Sequence, residues 1–299
     1  MRKIFHKPLL ALPMLFLTCT VYAGTLADTT KKDTTKYDSY FKLSADYTSN
    51  NVFMGRTPKT TTPIISPEAK YAFSWGLYVS GTADYLPDNK KNNIDGGDAT
   101  LGYDFDITDN LSGSASYTKL FYNVNSTQVG SSISSDFNAS LDYDIGDIIT
   151  PSITGDYDIN KQGINNDEFA GFSLSHDIIF EKLFGDKDLI LISPTVGLNA
   201  GTQNFYDAYL TRKVLKNAKR TAAQNALIAN FEQNVNQFKL LDYELSLPVE
   251  YKAGHFILQF TPEYAIAENK FKSAAIAKAL GVSDENTVFY FTAGVGWKF

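Results

Sequence analysis

Asp98-Ala99-Thr100-Leu101-Gly102-Tyr103-Asp104-Phe105-Asp106-Ile107 is the stretch that decides the fold. Ala99, Leu101, Tyr103, Phe105 and Ile107 share one parity; Asp98, Thr100, Gly102, Asp104 and Asp106 share the other. Successive strand side chains point to opposite faces, so this is a strand with one apolar face and one charged face. A second copy follows, with Phe137, Ala139, Leu141, Tyr143 and Ile145 against Asp136, Asn138, Ser140, Asp142 and Asp144.

Carried along the chain, the same period gives twelve strands. They fall near 40–49, 64–73, 77–86, 98–107, 111–121, 135–145, 148–159, 169–179, 189–202, 239–251, 256–266 and 287–299. Most are about ten residues, the length a tilted strand needs to cross a bilayer core. The connections 50–63, 87–97, 122–134, 160–168, 203–238 and 267–286 are long, and 74–76, 108–110, 146–147 and 252–255 are short. Only 180–188 matches a long neighbour, 160–168, in length. This alternation predicts an all-β, transmembrane up-and-down antiparallel barrel with short periplasmic turns and long outer loops.

Composition agrees. The 299 residues are 43% hydrophobic and 14% aromatic, with a mean hydropathy of −0.20, one cysteine and a net charge of −6. Beyond the N-terminus nothing approaches the roughly 18 apolar residues of a membrane helix. The acidic balance also argues against nucleic acid as a partner. Residues 1–23 read as a signal peptide, with a basic start, an apolar run from Pro8 to Thr18, and Val21-Tyr22-Ala23 before the cut. Gly24 to Ser39 reads as a flexible periplasmic tether, and 40–299 as the barrel.

Aromatic residues test the topology, since Tyr and Trp settle at membrane interfaces. Tyr47, Tyr85, Tyr117, Tyr157 and Tyr264 lie near the outer ends of outgoing strands. Tyr71, Phe73, Tyr103, Phe105, Tyr143, Tyr251, Trp297 and Phe299 close the inner ends. The last strand places Phe289, Phe291, Ala293, Val295, Trp297 and Phe299 at alternate positions and stops on the aromatic. It resembles the C-terminal signal of Gram-negative outer-membrane β-barrels, porin-like proteins among them. That resemblance implies an outer-membrane location and recognition of Phe289, Phe291, Trp297 and Phe299 by the barrel-assembly machinery. Asp46-Tyr47 with Val52-Phe53-Met54-Gly55-Arg56 is similar to the Asp-Tyr-x-Phe-Arg-Gly start of some small uncharacterised outer-membrane barrels. Extra residues intervene and Gly55 precedes Arg56, so it carries over no functional residue.

If the apolar parity faces lipid, the other lines the lumen. The expected lining includes Asp46, Asp84, Asp104, Asp142, Asp156, Asp177, Asp242 and Glu244. Glu68, Asp98, Asp106, Asp136, Asp144, Asp158, Glu250 and Glu263 join them, against only Lys42, Lys70, Lys252 and Lys298. Carboxylates at this density need water or partners. The expectation is a narrow, cation-preferring channel for small hydrophilic solutes, acting as a monomer. The alternative is a closed barrel serving as a scaffold or surface-binding protein through its loops.

Loop 203–238 departs from period two. Leu210, Val214, Ala218, Leu227, Phe231 and Val235 recur at helical spacing, and Arg212, Lys213, Lys216, Lys219 and Arg220 form a basic cluster. Such a helix either folds into the mouth against lumenal acids, meets lipopolysaccharide phosphates outside, or stays solvated. A shorter helix is expected near Lys272 to Leu280, giving helices in two outer loops. Asp95-Gly96-Gly97-Asp98 with Asp88 reads as a solvated loop or a weak Ca²⁺ site. No catalytic residue, resident metal or cofactor is expected. The export cut would leave His176 and His255 as the only histidines, and the strand register puts neither beside an outward-facing serine or a pair of acids.

Overall fold

The computed structural model describes residues 38–88, 93–124, 126–146, 148–161, 165–206, 222–268, 283 and 285–299. The signal segment, most of the tether, the basic cluster from Arg212 to Arg220 and the helix expected near Lys272 lie outside the described residues.

Fifteen hydrogen-bonded segments form one antiparallel sheet that closes on itself as twelve staves. These are β1 (Tyr40–Thr48), β2 (Ile64–Ala72), β3 (Leu77–Tyr85), β4 (Ile94–Asp106), β5 (Leu111–Tyr122), β6 (Ile133–Tyr143) and β7 (Thr150–Asn160). Then come β8 (Asp167–Ser175 continued by Ile178–Glu181), β9 (Asp188–Ile192, Thr195–Gly201) and β10 (Lys239–Ser246, Val249–Ala253). β11 (Phe256–Ala267) and β12 (Thr287–Lys298) complete the ring, β12 pairing with β1. Closure leaves no exposed ladder edge along most of the wall, the condition for backbone to cross hydrocarbon.

The breaks in β9 and β10 have a covalent cause. Pro194 and Pro248 have no N–H to give the ladder. The staves stay joined because His176 N donates to Pro194 O (3.2 Å), Ser193 N to Pro248 O (2.9 Å) and Leu247 N to Pro262 O (3.1 Å). The sequence pattern predicts β9 and β10 unbroken and starts β4 at 98; the structure bends both and begins β4 at Ile94. Asp95 is skipped between the pairs Tyr85↔Ile94 and Asp84↔Gly96, a β-bulge.

One parity of each stave faces outward. Leu43, Val79, Leu101, Tyr103, Phe137, Leu141, Ile153, Phe172, Tyr243, Leu258, Phe260 and Val295 are all exposed, an apolar belt that only lipid can cover. The barrel is thus an outer-membrane one, with aromatic residues ringing both edges of the belt. The inward parity is polar, with Thr100 and Thr118 at 2.9 Å and Ser114 and Ser140 at 3.4 Å bridging neighbouring staves. The principal apolar core sits at the long-loop end, inside the mouth. It contains Phe53, Met54, Leu120, Val129, Ile133, Phe169, Phe205, Tyr206, Phe231, Val235 and Leu241.

Candidate functional site: the lumen and its filled mouth

The first outer loop turns into the barrel. Phe53 N donates to Arg56 O (2.7 Å) and Arg56 N to Phe53 O (2.9 Å), closing a two-residue hairpin. Met54 and Gly55 take φ of 48° and 69°, the left-handed pair that such a tight hairpin requires. Glycine adopts this conformation freely, whereas Met54 pays a local strain. Gly55 is also sterically required, because a Cβ there would lie 2.8 Å from Asp242 Cβ and 3.3 Å from Ala267 Cα. The loop leaves β1 and its tip rests on β10 and β11, across the opening.

Polar clasps hold it there. Val129 N donates to Asn51 Oδ1 (3.1 Å), and Asn51 Nδ2 to Gln128 Oε1 (3.3 Å). Gln128 Nε2 donates to Asp95 Oδ2 (2.9 Å) and Asp84 Oδ2 (3.4 Å), and Ser126 Oγ also donates to Asp95. The loop 123–132 is thereby tied to both the first loop and the wall. A third clasp centres on Asp167, which accepts from Thr202 Oγ1 (2.7 Å), Asn204 N (2.6 Å), Phe205 N (2.7 Å) and Asn160 Nδ2 (2.8 Å). It caps the start of a helical turn and delivers Phe205 and Tyr206 to the core. The helix α1 (Ala222–Val235) adds Phe231 and Val235 from above.

Beneath the plug the expected lining residues all lie on the inner parity, in separate groups. Asp46, buried on β1, has Lys42 and Glu68 as charged neighbours. Asp84 accepts Ser66 Oγ at 2.9 Å beside Asp95 and Asp98. Asp156 accepts Asn138 Nδ2 at 2.6 Å next to Asp136 and Asp158. Asp242, fully buried, accepts Asn199 Nδ2 at 2.8 Å, with Glu244 beside it and Glu263 beyond, against Tyr290. Asp142 sits next to Ser152, and Asp104 remains open to the lumen near Lys70. Asp177, in the bend between the two parts of β8, accepts Ser193 Oγ at 2.5 Å.

The four inward lysines gather at the short-turn end. Lys298, Lys42 and Lys70 are directly opposed on β12, β1 and β2. Lys70 Nζ lies 4.0 Å over the Tyr78 ring, Lys298 Nζ 4.0 Å over Tyr40, and Lys252 Nζ 3.0 Å from Glu250 Oε1. Like charges facing across a ladder destabilise it, and these are relieved by rings and by flanking carboxylates. Followed stave by stave, the same row continues through Ser80, Thr100 and Thr118 to Asp136, Asp158 and Asp167.

One sequence expectation needs correction. Asp95 to Asp98 is not a solvated loop: it lies in β4 with both aspartates buried, because the bulge turns Asp95 inward as well. Among the described residues no three potential ligands converge on a metal position. Three outer loops build the plug around apolar contacts, with Phe205, Phe231 and Val235 supplied from the 203–238 segment. Asn51, Gln128 and Asp167 are the site residues that the sequence pattern passed over, while Arg56 and Asp95 stood in stretches to which it gave no role in the mouth. The available signal was the apolar triple Val52-Phe53-Met54 in a loop otherwise free to be polar.

No family model and no curated protein matches the chain. Among solved structures, the chain is similar to the KdgM porin (8% identity, 87% of this chain and 99% of that one, TM-score 0.44). It is likewise similar to the NanC porin (10%, 87% and 100%, 0.45) and to LpxR from Salmonella typhimurium (6%, 86% and 99%, 0.44). At this level of likeness they assign no function; the barrel assignment rests on the ladder itself.

Proposed function

We propose that the barrel is a narrow channel for small hydrophilic solutes with a preference for cations. The observation that carries this reading is the inner wall, where carboxylates stand on β1 to β4, β6 to β8, β10 and β11 while the lysines are confined to one arc at the short-turn end. A low-dielectric wall of one sign raises the local concentration of the opposite ion. In this conformation the plug fills the mouth, so passage requires the first loop to withdraw from its clasps. Recording in a planar bilayer under a KCl gradient should give a reversal potential on the cation side, and a larger conductance when Phe53 is replaced by Ala. An anion-side potential, or silence from both proteins, overturns the channel.

The fully buried core in the mouth favours a second reading, a closed barrel that presents its loops to a surface partner; silence from both proteins is its expected result. Neither reading involves catalysis. His176 Nδ1 lies 2.6 Å from Ile148 O, and His255 Nδ1 lies 2.6 Å from Lys298 O beside the Trp297 ring. Both are engaged by backbone at the short-turn end, and of the lumenal acids Asp177 lies next to His176. Lipopolysaccharide contact through the basic cluster, and assembly through Phe289, Phe291, Trp297 and Phe299, belong to the same proposal.

A further inference from the structure

The lipid side of the wall carries a hollow of about 540 Å³. Two outward-parity rows line it: Tyr47, Ala293, Phe260 and Val249 across β1, β12, β11 and β10, and below them Ala45, Val295, Leu258 and Tyr251 on the same staves. Asp46, Gln259 and Gly294 border it only as the intervening inward-parity residues. The hollow has two causes in the sequence. Ala45 and Ala293 are small where neighbouring positions of the belt carry rings or branched chains, and β10 has just bent at Pro248, the residue before Val249. Above Ala293 the Phe291 ring lies 5.9 Å from that of Tyr47 and 5.7 Å from that of Phe260, closing the long-loop end. The other end reaches Tyr251 in the inner girdle. The hollow also spans the seam where the last stave meets the first. That seam is thin, with Ala45 and Ala293 outward and Gly294 and Gly296 inward, Gly294 leaving room for the Asp46 carboxylate. Apolar atoms beside such a gap forfeit dispersion contacts unless something fills it.

We propose that this hollow binds one acyl chain of a phospholipid from the periplasmic leaflet, entering beside Tyr251 and ending against Phe291, and that the bound chain braces the seam between β12 and β1. The occupant follows from the surface that the hollow continues, because it is a dip in the apolar belt, which only lipid covers. The ring cluster at its upper end blocks a chain descending from the outer leaflet. Its apolar sides recognise a chain and not a headgroup. Elsewhere on the belt a chain is touched from one side; here the alanine floor and both flanks touch it. The site does not depend on whether the barrel conducts.

The test uses the full barrel in a mild non-ionic detergent, with palmitoyl-oleoyl phosphatidylethanolamine as the probe and native mass spectrometry as the readout. Wild type should keep a single phospholipid after detergent has stripped the rest of the belt. Ala293→Phe fills the hollow and should raise the lipid concentration for half-occupancy about tenfold. Ala45→Leu serves the same purpose should that protein fold poorly. Ala139→Phe, the same change on the exposed outward face of β6, should leave retention as it is. The same lipid with a diazirine at the end of one chain should label Phe260, Phe291 and Ala293. The brace is read as the temperature at which the compact band on a gel is lost: added lipid should raise it for wild type and not for Ala293→Phe, and equal rises overturn the brace. Unchanged retention in both filled variants, or labelling spread round the belt, overturns the site. Labelling centred on Tyr251 would mark a chain from the outer leaflet, and a dimer that Ala293→Phe dissociates would assign the hollow to a second copy; either result overturns the proposal.

Discussion

Replacing Phe53 by Ala should unseat the plug while leaving the wall intact. Phe53 is wholly buried, with its ring centroid 4.5 Å from that of Phe205 at 73° and 6.0 Å from that of Phe169 at 82°. Emptying a site of this kind costs about 3–5 kcal/mol, of which edge-to-face contacts supply roughly 0.5–1.5 kcal/mol each. The cost falls on the equilibrium between the inserted and withdrawn loop, because the ladder bonds of β1 and β2 do not involve Phe53. At 1.4 kcal/mol per factor of ten, even the lower figure raises the withdrawn population about a hundredfold. Amide exchange reads this directly, since the N–H groups of Phe53 and Arg56 are bonded to each other's carbonyls. Both should lose about two orders of magnitude of protection, while amides of β4 and β5 stay unchanged. Phe121→Ala, on the lipid-facing side at 57% exposure, is the control and should move neither. Unchanged exchange at Phe53 and Arg56 would refute the reasoning, as would equal loss throughout the wall, which would make plug and wall one cooperative unit.

Asp167→Asn turns an acceptor of four hydrogen bonds into a group with half that capacity. At roughly 1.5–3 kcal/mol for a bond to a charged partner, the Phe205 amide should exchange at least tenfold faster, and wild-type rates there would dismiss the clasp. Single cysteines at Tyr103 and Asp104 should differ in reach: a membrane-impermeant, water-soluble thiol reagent labels position 104 in the assembled barrel and spares 103, and equal labelling would contradict the facing assigned to β4.

The staves were legible because lipid on one side and polar surroundings on the other impose period two without interruption. The inward carboxylates were legible for the same reason, and each lies on the parity that its neighbours dictate. The bulge at Asp95 was not, since one extra residue in a ladder leaves no mark on composition. Pro194 and Pro248 announced a loss of donors but not that neighbouring staves would bend together. The plug was least legible. Asn51 meets Gln128 across 77 residues and Asp167 meets Phe205 across 38, and no local period encodes such distances. Phe53 and Phe205 each sit in a stretch that by itself reads as an ordinary loop.

The row that begins at Lys298, Lys42 and Lys70 and finishes at Asp136, Asp158 and Asp167 also climbs. Lys42 is the third residue of β1 at the short-turn end, and Asp167 opens β8 at the mouth. Fixed charge on this line is sorted by height, much as dopants are sorted across a semiconductor junction. In the proposed channel, ions driven along this wall would meet the two signs in opposite order according to their direction of travel, so equal and opposite voltages are expected to draw unequal currents.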